Sequence, residues 1–114
     1  MTLKEKKCKP CEGFTEPLTN QQEDSLQKEI PEWTLLRDNI HKLVRTFKFE
    51  DFNQGIAFIN AVADIAEEEG HHPNMCIAWN KVTIELFTHA INGLSENDFI
   101  IASKVDNLYV NPNE

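Results

Sequence analysis

The chain reads as an α+β protein, a two-layer sandwich in which a four-stranded antiparallel sheet carries three helices on one face, in the order α-β-β-α-β-β-α. Three observations predict this. Apolar residues recur at helical spacing through residues 51–69, two pairs of β-branched and aromatic runs are each split by turn-forming residues, and helix-opening signatures stand at Thr19 and Ser95.

Each element follows from its residues. Positions 1–17 are charged and contain prolines, so they are expected to form a flexible lead-in before a single domain over 18–110. Thr19 with Gln22 makes a capping box that opens a short helix, with Leu26 and Ile30 inward and Pro31 at its end. Trp33 to Arg37 and Ile40 to Phe47 read as strands joined by a tight turn at Asp38-Asn39. Phe52, Ile56, Ile59, Ala63 and Ala66 then recur along one side of a helix from about Asp51 to Glu69. That stripe is expected to face the core. Gly70 ends the helix in the left-handed conformation that glycine tolerates, and Pro73 forces the chain out of helix. Met75 to Trp79 and Val82 to Phe87 form a second hairpin, and Ser95 with Asp98 opens a last helix carrying Ile101, Val105 and Leu108. No repeat, linker or low-complexity segment interrupts the order.

Composition narrows the class. The chain has 114 residues, enough for one domain but lean enough that oligomerisation would help cover apolar faces. A net charge of −8 and a pI near 4.9 argue against nucleic acid or an acidic membrane as partner. No apolar run has transmembrane length and no apolar segment follows the Lys-rich start, so a cytoplasmic protein is expected. Cys8-Lys9-Pro10-Cys11 is a CxxC, but a zinc ribbon needs a second pair and only Cys76 remains. Nothing before Lys7 reads as the strand that a thioredoxin-type motif would follow, so reduced thiols on the lead-in are expected.

The candidate site lies around the second hairpin. If Asn80 and Lys81 form its two-residue loop, Trp79 faces Val82 and His72 comes opposite His89. Opposed Cβ atoms stand roughly 4.5–5.5 Å apart, so two imidazoles can flank one small ligand. Glu67 lies one helical turn before His71, and the pair His71-His72 sits at a helix-to-strand junction that opens to a cleft. Three readings follow. Imidazoles titrating near neutrality can protonate a leaving group and accept a proton elsewhere. Three histidines and a glutamate suit zinc, although no HExxH is present and adjacent residues on an extended chain point apart. Alternatively, His71 and His72 merely complement the helix C-terminus while His89 occupies a strand edge.

The run Glu67-x3-His71-His72-Pro73-x5-Trp79-x9-His89-x8-Asp98 resembles the active-site signature of the pterin-4a-carbinolamine dehydratase family. The surrounding text, Glu69-Gly70-His71-His72-Pro73, Thr88-His89-Ala90 and Gly93-Leu94-Ser95-Glu96-Asn97-Asp98, is similar to that family as well, and the resemblance runs from about Leu18 to Asp106. It implies dehydration of 4a-hydroxytetrahydropterin, left when an aromatic amino acid hydroxylase has used its cofactor, to quinonoid dihydropterin. It implies no redox cofactor and no metal, the pterin being substrate. By position, His71 and His89 would be general acids and bases, and His72 would position the pterin. Glu67, Pro73, Trp79, Thr88 and Asp98 would bind or support it, with Asp98 equally readable as a helix N-terminal charge. Many relatives carry an acid where this chain has Gly70, so carboxylate help from that position is absent.

The resemblance also implies dimers or tetramers formed through sheet edges and helices. It leaves open a non-catalytic role, because the family includes dimerisation cofactors for a homeodomain transcription factor, and a pterin-binding or assembly module is conceivable on the same fold. Retention of all three histidines favours the enzyme.

Overall fold

The structure, a computed structural model, describes residues 2–9 and 16–109. Helices α1 (Asn20–Gln27), α2 (Phe52–Glu69) and α3 (Glu96–Leu108) alternate with strands β1 (Thr34–Leu36), β2 (Lys42–Lys48), β3 (Asn74–Ala78) and β4 (Lys81–Leu86), in the expected order. The strands form one antiparallel sheet ordered β1-β2-β4-β3. Its inner face carries Leu43 and Phe47 of β2 and Val82, Ile84 and Leu86 of β4, all buried. The outer face is polar, with a Thr46–Thr83 hydroxyl pair at 2.9 Å and Asn74 donating to Glu85. This alternation keeps the helices on one side.

Local signals hold at the helix ends. Thr19 and Gln22 form the reciprocal capping box of α1, Asp51 caps α2 by accepting from Gln54 N–H at 2.8 Å, and Gly70 closes α2 at φ 67°.

Four expectations are corrected, each by a tertiary contact. The loop of the second hairpin is Trp79-Asn80, not Asn80-Lys81, because Ala78 pairs with Lys81. Asn80 is held by the residue that follows β2: its side-chain N–H donates to Phe49 O at 2.9 Å, and its own carbonyl accepts from Phe49 N–H at 2.8 Å. The positive φ of 52° therefore falls on Trp79. A two-residue slip leaves the inward face unchanged, since side chains alternate with period two, but it sets Val82 opposite Ile77 and carries His89 past the end of the ladder.

The buried stripe of α2 is Gly55, Phe58, Val62 and Ala66, so of the expected stripe Ala66 is fully buried and Ile59 packs half-buried against the core, while Phe52 is 46% exposed. Gly55 carries no apolar side chain to read, yet it sets the approach, because a Cβ there would stand 3.0 Å from Ile77 Cδ1. The first hairpin has no tight turn at Asp38-Asn39. The last pair is Leu36 with Lys42, and the longer connection delivers Arg37 and His41 to the fully buried Glu23, at 2.9 and 2.8 Å.

Finally, over residues 2–9 the lead-in is packed, not flexible. A short 3-10 turn at Leu3–Glu5 lies on α3 with Leu3 only 1% exposed. Cys11 lies outside the described residues, so the CxxC reading cannot be placed as a whole.

Candidate active site

The site is built where α2 ends and α3 begins. Gly70 turns the chain so that His71 N–H still bonds Ala66 O, and the His71 ring projects toward the first turn of α3. There Nε2 lies 2.6 Å from Oδ1 of Asp98, whose side chain is fully buried while the ring is 12% exposed. The second oxygen of Asp98 accepts from Ser95 N–H at 2.9 Å and from the Thr88 hydroxyl at 2.8 Å. Asp98 thus does both things its sequence position allowed: one oxygen caps α3 and the other holds a histidine. A ring whose Nε2–H donates to this carboxylate presents Nδ1 as acceptor on its other side.

His89 stands beyond β4 in a short 3-10 turn, His89–Ile91. The turn is closed by two backbone bonds between Thr88 and Gly93 and by Asn92 in the left-handed conformation at φ 50°. Thr88 is therefore shared: its backbone anchors the His89 turn and its hydroxyl reaches Asp98 and Ser95. The His89 ring packs on Phe87 with centroids 4.2 Å apart. His72 is exposed, its Nε2 3.2 Å from Glu67 Oε1, a solvated contact worth little on its own.

All three histidines border one cavity of about 480 Å³, together with Cys8, Lys9, Glu69, Gly70, Phe87, Thr88, Ala90 and Asn97. This is within the size range of small-ligand sites. Of the other residues the sequence singled out, Asp98 lies behind His71 and Glu67 touches His72. Pro73 and Trp79 do not border the cavity, and Trp79 sits at the tip of the β3–β4 hairpin, 70% exposed. Sequence reasoning missed Glu69, Phe87, Asn97, Cys8 and Lys9. No short-range pattern links them, because they reach the cavity from four separate stretches of chain.

A fold of antiparallel sheet and one-sided helices gathers the histidines at one mouth with a buried carboxylate behind them, a candidate acid–base site. The family model described as pterin 4 alpha carbinolamine dehydratase matches residues 16–108. Among curated relatives, one from Nitrosomonas eutropha is 46% identical, covering 95% of this chain and 94% of its own. One from Rubrobacter xylanophilus is 42% identical, covering 93% and 97%. Both carry the name pterin-4-alpha-carbinolamine dehydratase provisionally. Two solved structures are similar at 30% identity. A transcriptional coactivator/pterin dehydratase from Brucella melitensis superposes with a TM-score of 0.76 over 81% of this chain and 97% of that one. A pterin dehydratase-like protein identified as a RuBisCO assembly factor in the alpha-carboxysome gives 0.60 over 70% and 92%. The chain belongs to the pterin-4a-carbinolamine dehydratase family.

Proposed function

We propose that the protein dehydrates 4a-hydroxytetrahydropterin to quinonoid dihydropterin and water by histidine acid–base catalysis. The observation that carries this reading is the grouping of His71, His72 and His89 on one cavity, with His71 held by the buried Asp98. The C4a–O bond breaks as the hydroxyl takes a proton and leaves as water, while N5–H gives up its proton and its electron pair forms the new C=N bond. No net oxidation occurs, so an acid and a base on opposite sides of the ring suffice. His71 and His89, arriving from different elements, are the acid–base pair, and His72 positions the pterin. Glu67 acts through His72, and Thr88 and Asp98 through His71. The reaction needs no added cofactor or metal, and would recycle the pterin of an aromatic amino acid hydroxylase in the cytoplasm.

Among the described residues no helix is long and apolar enough to cross a membrane. The net charge of −8 speaks against nucleic acid and anionic membranes as partners. Trp79 and Phe52, 70% and 46% exposed, are the large apolar side chains that self-association would cover, so a homodimer or homotetramer is proposed.

The test follows the ultraviolet absorbance of freshly generated 4a-hydroxytetrahydropterin at slightly alkaline pH. Acceleration by the wild type that is lost in the folded His71→Ala, His89→Ala double variant supports the reading. A folded wild type that gives no acceleration overturns it, and favours an assembly role like that of the similar carboxysome protein.

A further inference from the structure

The strongest unassigned feature is the segment 2–9. It touches the site at the two places that hold the His71–Asp98 pair. Cys8 N–H donates to Glu69 Oε1 at 2.8 Å, two residues before His71. Lys9 exchanges two hydrogen bonds with the side chain of Asn97, the residue before Asp98: its N–H donates to Oδ1 at 2.9 Å, and its carbonyl accepts from Nδ2. Asn97 is 6% exposed and the Glu69 side chain 5%, so both polar groups are buried in making these contacts. Leu3, 1% exposed against α3, anchors the far end, and Lys6 pairs with Glu96 at 3.2 Å. Cys8 and Lys9 then stand on the cavity wall beside the histidines.

We propose that residues 2–9 form a strap that completes the pterin pocket, with Asn97 and Glu69 as positioning residues that hold Cys8 and Lys9 against the substrate. The inference rests on the dehydratase reading. Physically, a wall carried by main-chain bonds to both sides of the cavity does two things. It narrows the opening around the ring, and it ties the end of α2 to the start of α3. A bound pterin gains contact area from it. The chemistry itself stays with the histidines, so the effect should fall on substrate binding.

The experiment compares wild type, Asn97→Leu and a variant lacking residues 1–9. It reads KM and kcat for 4a-hydroxytetrahydropterin, the Kd for 7,8-dihydrobiopterin, and hydrogen exchange at the amides of Lys6 to Lys9. Asn97→Leu removes both bonds between Lys9 and the Asn97 side chain while keeping the branched shape, and leaves the Cys8–Glu69 bond in place. It should speed exchange in the strap and raise KM and Kd about tenfold, with kcat changed less than about twofold. The deletion, which has no strap amides to exchange, should raise KM and Kd likewise, and it supplies those two readings if Asn97→Leu fails to fold. A folded Asn97→Leu whose strap exchanges fast, or a folded deletion, with KM and Kd matching wild type overturns the strap. A wild type that neither binds nor turns over the pterin defeats the dehydratase reading itself.

Discussion

His71 Nε2 stands 2.6 Å from Oδ1 of Asp98, and the carboxylate is fully buried behind the ring. Both oxygens are engaged by donors, from His71 on one side and from Thr88 and Ser95 on the other. Asp98→Asn therefore has no good orientation. With its oxygen toward His71, its amide N–H₂ meets the Ser95 N–H donor; reversed, it meets the ring N–H. We expect a loss of about 1–3 kcal/mol in urea unfolding, from the buried donor left without an acceptor. We also expect a fall in kcat on the order of 10²-fold as the ring loses its tautomer and aim. An unchanged kcat in the folded variant would reduce Asp98 to a helix cap.

Thr88→Val tests whether the two histidine-bearing segments are mechanically joined. The hydroxyl lies 2.8 Å from both Ser95 Oγ and Asp98 Oδ2 in a site 4% exposed, and valine fills the same space without it. Stability should drop by about 1–2 kcal/mol. NMR of the imidazole side chains should show the His71 resonances moving along with those of His89. Movement confined to His89 would mean that the Asp98 end does not feel the change.

Gly70→Ala isolates a backbone effect. No atom lies within 4 Å of the added methyl, but φ is 67°, so the cost is the left-handed conformation alone. It should be about 1 kcal/mol, a fall of roughly 4–8 °C in Tm. A Tm equal to wild type would show that the α2 end relaxes without strain, and His71 would then be expected to move.

The pH dependence of stability has a clear contributor outside the site. Burial pushes the Asp106 carboxyl above its ordinary 3.8, against the opposing pull of the Trp33 indole N–H and the Arg45 guanidinium, each at 2.8 Å. A carboxyl whose folded pKa exceeds its unfolded one favours the folded state most when protonated. Its contribution is complete below the unfolded pKa and is lost as pH rises through the folded one. Urea unfolding across this range should show wild type losing ground to Asp106→Asn as pH rises, then a constant difference above it. A slope of the opposite sign would mean that the Arg45 pair outweighs burial.

What was legible in the sequence was what nearest neighbours control. The capping residues Thr19 and Gln22, the αL stop at Gly70 and the paired Ser95 and Asp98 act over a few residues, and the structure places each as its local chemistry requires. The order of elements and the one-sided packing follow from periodicity for the same reason. The family pattern named His71, His72 and His89 as one group, and they do border one cavity.

Register, helix rotation and the full cavity wall were settled elsewhere, by contacts between residues far apart in the chain. Asn80 was pulled to Phe49, which moved the hairpin turn by one residue and left His89 on a loop of its own. Gly55 let α2 approach Ile77, which turned Phe52 outward. The bonds from Cys8 and Lys9 to Glu69 and Asn97 laid those two residues on the cavity wall. The sequence by itself determined the elements and their order, because short-range sterics and hydrogen bonding act within a few residues, and it carried the histidines through the family pattern they spell. Only the tertiary structure decided where the hairpin turns and what faces the pocket, because those choices are between nearly equal local conformations and are made by whichever long-range contact buries its polar groups with partners.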